Sequence, residues 1–187
     1  MDATMSRVRV AAQWLRPWVA LRPYTGQMPL DIIFLLVVGA LHHTVLPSLI
    51  GGVMLVDLMT PWLVVTFVSA PLPRATVIGV LGSLILESHS AAPAGLYLCA
   101  YWVVAVVLRL TRSTLSWRHA LPWMVTFLVT EIWVIAFETF VVSVSEGNFH
   151  FGFGYALAQM VRLVTSSAIG MLLCRRAMAL GVGEEAA

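Results

Sequence analysis

Apolar residues in this chain are grouped in long blocks, broken by short clusters of proline, glycine and charge. An apolar stretch of about 20 residues can cross a bilayer as a helix, because only internally hydrogen-bonded backbone survives there. Six blocks qualify as candidates: 30–49, 54–71, 75–88, 94–110, 120–143 and 152–174, the third being short. Proline marks the breaks. Pro29, Pro71, Pro73, Pro93 and Pro122 lie at or near predicted ends, where a missing N–H is tolerated. Pro47 lies near the end of the first block, and Pro61 falls inside the second, predicting a kink or a late helix start.

Composition sharpens this into a membrane reading. The 187 residues are 60% hydrophobic and 11% charged, with mean hydropathy +0.91. Soluble domains carry roughly a quarter charged residues, and a soluble fold could not hide this much apolar surface without large exposed patches. The expected fold class is all-α: a polytopic membrane protein of six transmembrane helices. No connection exceeds roughly a dozen residues, so no soluble domain hangs from an anchor. Residues 29–176 form the transmembrane domain, and 177–187 a short, solvated cytoplasmic tail. Residues 1–28 read as a basic leader or an interfacial helix interrupted by Pro17, with Arg9, Gln13 and Arg16 on one face; no cleavable signal is apparent.

Arginine placement gives the orientation. All eleven basic residues are arginine. Arg7, Arg9, Arg16 and Arg22 precede span one, and Arg74 separates spans two and three. Arg109, Arg112 and Arg118 surround the connection between spans four and five, while Arg175 and Arg176 follow span six. The alternate connections, around 50–53, 89–93 and 144–151, hold no arginine. Both termini are therefore expected in the cytoplasm. Dispersed arginines and a net charge of +2 give no case for nucleic-acid binding.

Ionisable groups at membrane depth require explanation. The candidates are Asp57, Glu87, Glu131, Glu138 and Arg162, with His42 and His43. Glu131 and Glu138, seven residues apart, share a face of span five. Tyr155, Gln159, Arg162 and Ser166 form a polar stripe on span six. At about 1.5 Å per residue from the outer ends, Arg162 lies ~15 Å deep, Glu131 ~18 Å and Glu138 ~8 Å. A short outer loop makes spans five and six antiparallel neighbours, so Arg162 is expected to pair with Glu131 and less directly with Glu138. The constellation suits either a proton or substrate path or a structural, partner-docking ion pair. The second is the expectation taken, because transporters need several such groups around a cavity. Asp57 and Glu87 are expected near the outer interface, in loop hydrogen bonds.

Adjacent His42 and His43 diverge by about 100° on a helix and are expected to make interhelical hydrogen bonds rather than chelate a metal. Cys99 and Cys174 have neither zinc nor redox spacing and are expected as buried, inert thiols. No nucleophile motif, metal set or phosphate loop is apparent, so no catalytic residue, cofactor or metal is assigned. Gly79 with Ser83, and Ser166 with Gly170, form small-xxx-small pairs that let helices approach closely.

The region from Asp57 to Tyr101 resembles MreD, the rod-shape-determining membrane protein family of bacteria. That family opens its second span with an aspartate before a leucine-rich run, here Val56-Asp57-Leu58-Met59. Its third span ends in a pattern like G-xxx-G-xxx-D-xx-S-G, followed by a glycine opening span four. This chain has Gly79-Val-Leu-Gly-Ser83-Leu-Ile-Leu-Glu87-Ser-His-Ser90-Ala91-Ala-Pro-Ala-Gly95-Leu96, with Glu87 in place of the aspartate and Ser83 and Ala91 in place of glycines. The resemblance covers about a quarter of the chain closely and the rest in architecture. It implies a fold similar to the substrate-binding subunits of energy-coupling-factor vitamin transporters. It also implies a non-enzymatic scaffold in the bacterial inner membrane. That scaffold would bind the single-span protein MreC and work with the glycosyltransferase and transpeptidase of peptidoglycan elongation. Asp57, Glu87, Ser90, Gly95, Glu131, Glu138, Gln159 and Arg162 are the structural or partner-docking candidates. The alternatives are a substrate-binding membrane subunit of a vitamin-type transporter and an intramembrane enzyme.

Overall fold

The computed structural model describes residues 28–45, 56–90, 93–147 and 152–179, without the side chains of residues 176, 177 and 179. The basic leader up to residue 27, Pro47, Ala91 and the tail beyond residue 179 lie outside the described residues. Among the described residues every regular element is helical. They are α1 (Met28–Ala40), continued by a π-helical turn (Leu41–Val45), α2 (Met59–Ser69), α3 (Leu72–Ser88), α4 (Leu96–Thr111), α5 (Ala120–Glu146) and α6 (Phe153–Ala179). Each predicted block thus carries a helix. Three are long and apolar enough to cross a membrane: Met28–Val45, Ala120–Glu146 and Phe153–Arg175.

The others are shorter for local reasons. The second helix starts late, at Met59, which puts Pro61 in its first turn, where the lost N–H has no acceptor to miss. It ends because Ala70, preceding Pro71, is extended (φ −84°, ψ 154°), as the residue before a proline prefers. Its 11 residues make a rod of about 16 Å at 1.5 Å per residue, half of a hydrocarbon core of roughly 30 Å. Pro71 then caps α3 and Pro73 lies in its first turn, so the corner between the two helices is built of prolines. Gly95 opens α4 at φ +91°, a left-handed conformation that a side chain would oppose.

The short helix is the hub. Every residue from Met59 to Val68 is buried, as expected of a helix apolar all round. It contacts α3, α4, α5 and α6, while α1 packs on α3. The helices α3, α4, α5 and α6 follow one another around it, with α1 on the outside of α3, and α5 against α6 is the largest contact. That antiparallel pair was expected.

Close approach is made by missing side chains. A Cβ on Gly79 would lie 2.7 Å from the Phe67 ring, one on Gly82 2.9 Å from Leu63, and one on Gly170 2.8 Å from Phe127. Two of these are the glycines of the predicted small-residue pairs. The outward faces are apolar: Leu110 is 73% exposed, Val144 66% and Leu172 63%. Such surface suits lipid. Between α4 and α5, the Trp117 indole N–H donates to the Arg112 carbonyl (2.9 Å) and that of Trp123 to the Trp117 carbonyl (2.8 Å). The two rings meet edge-on at 4.9 Å, both buried, and lock this connection.

Cys174 is buried, but Cys99 is exposed, correcting the expectation for that thiol. An apolar stretch hides a residue in the membrane, not in the protein. Cys99 lies off the α4 face formed by Tyr97, Ala100, Tyr101 and Val104, which turns inward.

Candidate functional site

The head of α2 needs acceptors for its first free N–H groups. Asp57 supplies one: its Oδ1 accepts from the Met59 N–H (2.8 Å) and the Thr60 N–H (3.0 Å). Its Oδ2 accepts from the Thr60 hydroxyl at 2.8 Å. That hydroxyl also meets the Tyr101 hydroxyl, which must donate because the Thr60 proton is committed. The Asp57 N–H itself donates to the Ser166 hydroxyl of α6 at 3.3 Å. The His42 Nδ1, in the π-helical turn, accepts from the Leu58 N–H at 3.3 Å and lies 3.8 Å from Asp57 Oδ1. The interhelical role expected of the histidines is met by His42, while His43 stacks on His89 (ring centroids 4.3 Å, 10°).

Asp57 is buried, 1% exposed, and its charge is answered from α6. Arg162 Nη2 donates to Asp57 Oδ2 at 3.0 Å, and Nη1 donates to Glu138 Oε2 at 3.3 Å. Glu138 Oε1 accepts from the Tyr97 hydroxyl at 3.0 Å. Arg162 Nε lies 3.9 Å from Glu131 Oε2, and neither Glu131 oxygen has a hydrogen-bond donor. The planar fork of arginine suits this work, since its separate N–H groups reach two carboxylates at once. One guanidinium is therefore shared by three carboxylates from two other elements.

The expected pairing is corrected here. Arg162 meets both glutamates in the reverse of the expected order, bonding Glu138 at 3.3 Å and lying 3.9 Å from Glu131, and its shortest bond is to Asp57, which residue counting had placed near the outer interface. The count assumed a full-length second span. A half-length helix instead begins about midway through the bundle, opposite an arginine roughly 14 Å along α6 at 1.5 Å per residue. One signal was present in the sequence: Asp57-Leu-Met-Thr60-Pro61 places a capping aspartate just before a helix-starting proline. Thr60, Tyr97, Tyr101 and His42 complete the cluster, and none of their contacts follows from spacing alone.

The other candidates separate into two places. Tyr155 meets the Thr139 hydroxyl at 2.7 Å, nearer the start of α6 than the cluster, and Gln159 Oε1 is buried without a partner. Glu87 instead serves the α3–α4 corner, where its Oε1 accepts from the Leu98 N–H at 3.0 Å. The Ser90 N–H donates to the Glu87 carbonyl at 3.2 Å, and Gly95 turns the chain into α4. The carboxylate thus caps the helix that Gly95 opens. Among the described residues, no group of three or more His, Cys, Asp or Glu side chains is arranged to hold a metal ion.

The described residues define an all-helical membrane protein in which Asp57, Glu131, Glu138 and Arg162 are gathered around the buried head of a short central helix. Comparison with protein-family models, with curated proteins and with solved structures finds no match.

Proposed function

We propose that this chain is a non-enzymatic, six-span scaffold subunit of the cell-wall elongation machinery, similar to MreD. It would reside in the bacterial inner membrane with both ends in the cytoplasm. In this reading it binds a single-span MreC-like protein and supports peptidoglycan synthesis and cell shape. The observation that carries it is the employment of the residues behind the resemblance. Asp57 heads α2 and takes the Arg162 bond, while Glu87 and Gly95 build the α3–α4 corner. Each is used to fix helices relative to one another, the task of a scaffold. Arginines at alternate connections support the six crossings.

Two experiments test this. Solubilised in mild detergent, the chain should retain a single-span coiled-coil partner. Recovery of an energising ATPase module or a vitamin-like ligand would move the assignment to a transporter subunit. For topology, exposed Cys99 is first replaced by serine. A cysteine at exposed Ser145 should then react with an impermeant reagent in intact cells, and one at exposed Ser113 should not. Labelling at Ser113 would overturn the six-span, both-ends-inside arrangement.

A further inference from the structure

A lipid-facing groove lies between α3 and α4, sharing Tyr101 with the ion cluster but none of its charged residues. It encloses about 320 Å³, and its walls include Gly79, Ser83, Leu98, Trp102, Ala105 and Val106. It has no carboxylate in its lining, and Arg109 lies at one end with Leu72 and Leu110. From Leu98 to Leu110 the groove follows α4 for about 18 Å at 1.5 Å per residue. One leaflet of the hydrocarbon core is roughly 15 Å deep, half of the full thickness. An acyl chain entering beside Arg109 would therefore fill the groove lengthwise.

The charged end says which lipid. Arg109 donates from Nη2 to the Ala70 carbonyl at the end of α2, which holds the side chain in place and leaves most of its five N–H donors free of that bond. Arg112 follows one turn later, near enough for the two positive charges to repel. Its Nε is buried without a hydrogen-bond partner, and its backbone is held by the Trp117 indole. Arg109 in the wall of an acyl-sized groove, with Arg112 one turn further along the same helix, gives that end a positive charge complementary to a phosphate with a net negative headgroup.

We infer that the α3–α4 groove is a binding site for an anionic glycerophospholipid, with one acyl chain along Gly79, Trp102 and Val106 and the phosphate between Arg109 and Arg112. This does not depend on the scaffold reading.

The test is native mass spectrometry of the full chain in detergent, titrated separately with phosphatidylglycerol and phosphatidylcholine of identical acyl chains. Phosphatidylglycerol should bind more tightly, and Arg112→Gln should weaken it by about fivefold, the worth of one arginine near a membrane surface, with phosphatidylcholine unchanged. Ala105→Trp, which fills the groove, should abolish the saturable adduct of either lipid. Melting temperatures for both variants establish that they fold. Because Arg109 also holds the end of α2, Arg112 is the informative position. Equal affinity for the two lipids, or wild-type phosphatidylglycerol binding by folded Arg112→Gln, would overturn the headgroup assignment. A dimer without lipid adduct, lost in Ala105→Trp, would instead make the groove a contact between two copies.

Discussion

Replacing Arg162 with methionine should cost the fold about 3–5 kcal/mol, the usual consequence of removing one member of a buried ion pair. The reason is that Asp57, 1% exposed, would keep its charge with no cation at 3.0 Å. Adding Asp57→Asn should restore much of the loss. An asparagine oxygen still accepts the Met59 and Thr60 N–H groups, so the head of α2 stays capped while the stranded charge disappears. Denaturant unfolding in detergent across the four proteins should give an interaction energy of ~1–3 kcal/mol. A parallel cycle with Glu131→Leu should give less, because Glu131 lies 3.9 Å from Nε and makes no hydrogen bond. A larger coupling to Glu131 than to Asp57 would reverse the assignment of partners.

The second large effect concerns α5 against α6. A Cβ at Gly170 would meet the Phe127 ring at 2.8 Å, at the ring atom attached to the side-chain stem as well as at its two neighbours. The stem side of a ring has little freedom to swing away, and Phe127 is 1% exposed. Gly170→Ala should therefore destabilise by ~1–3 kcal/mol through overpacking, and Gly170→Leu should lose most folded protein on size-exclusion chromatography. Phe127→Leu combined with Gly170→Ala should recover stability relative to Gly170→Ala alone. If the double variant is simply the sum of two losses, the helices do not touch at this point.

The fold was legible in the sequence to the extent that it depends on apolar block length and proline. Each block carries a helix, and Pro71 and Pro73 lie at the start of α3 as expected. The small-residue pairs were legible too, because a glycine facing another helix needs no partner chemistry to be read. What escaped was depth. Residue counting measures distance along a helix from an assumed end, and the late start of α2 shifted Asp57 from the interface to the core. Glu131, Glu138 and Arg162 were brought together correctly because α5 and α6 are long helices joined by a short connection. The hydroxyls of Thr60, Tyr97 and Tyr101 were not, since each is chosen by the packing of α2 and α4 rather than by any pattern of its own.

The span of chain between Asp57 and Arg162 also sets a clock. The two are 105 residues apart, and ribosomes add roughly 5–20 residues per second. For about 5–20 seconds of synthesis, a carboxylate at the end of a half-length helix waits for a cation that has not yet been made. The nascent bundle must keep that end wet, or held by an insertion partner, until α6 arrives. A chain interrupted before α6 is then not five-sixths of a protein but one whose centre has never closed.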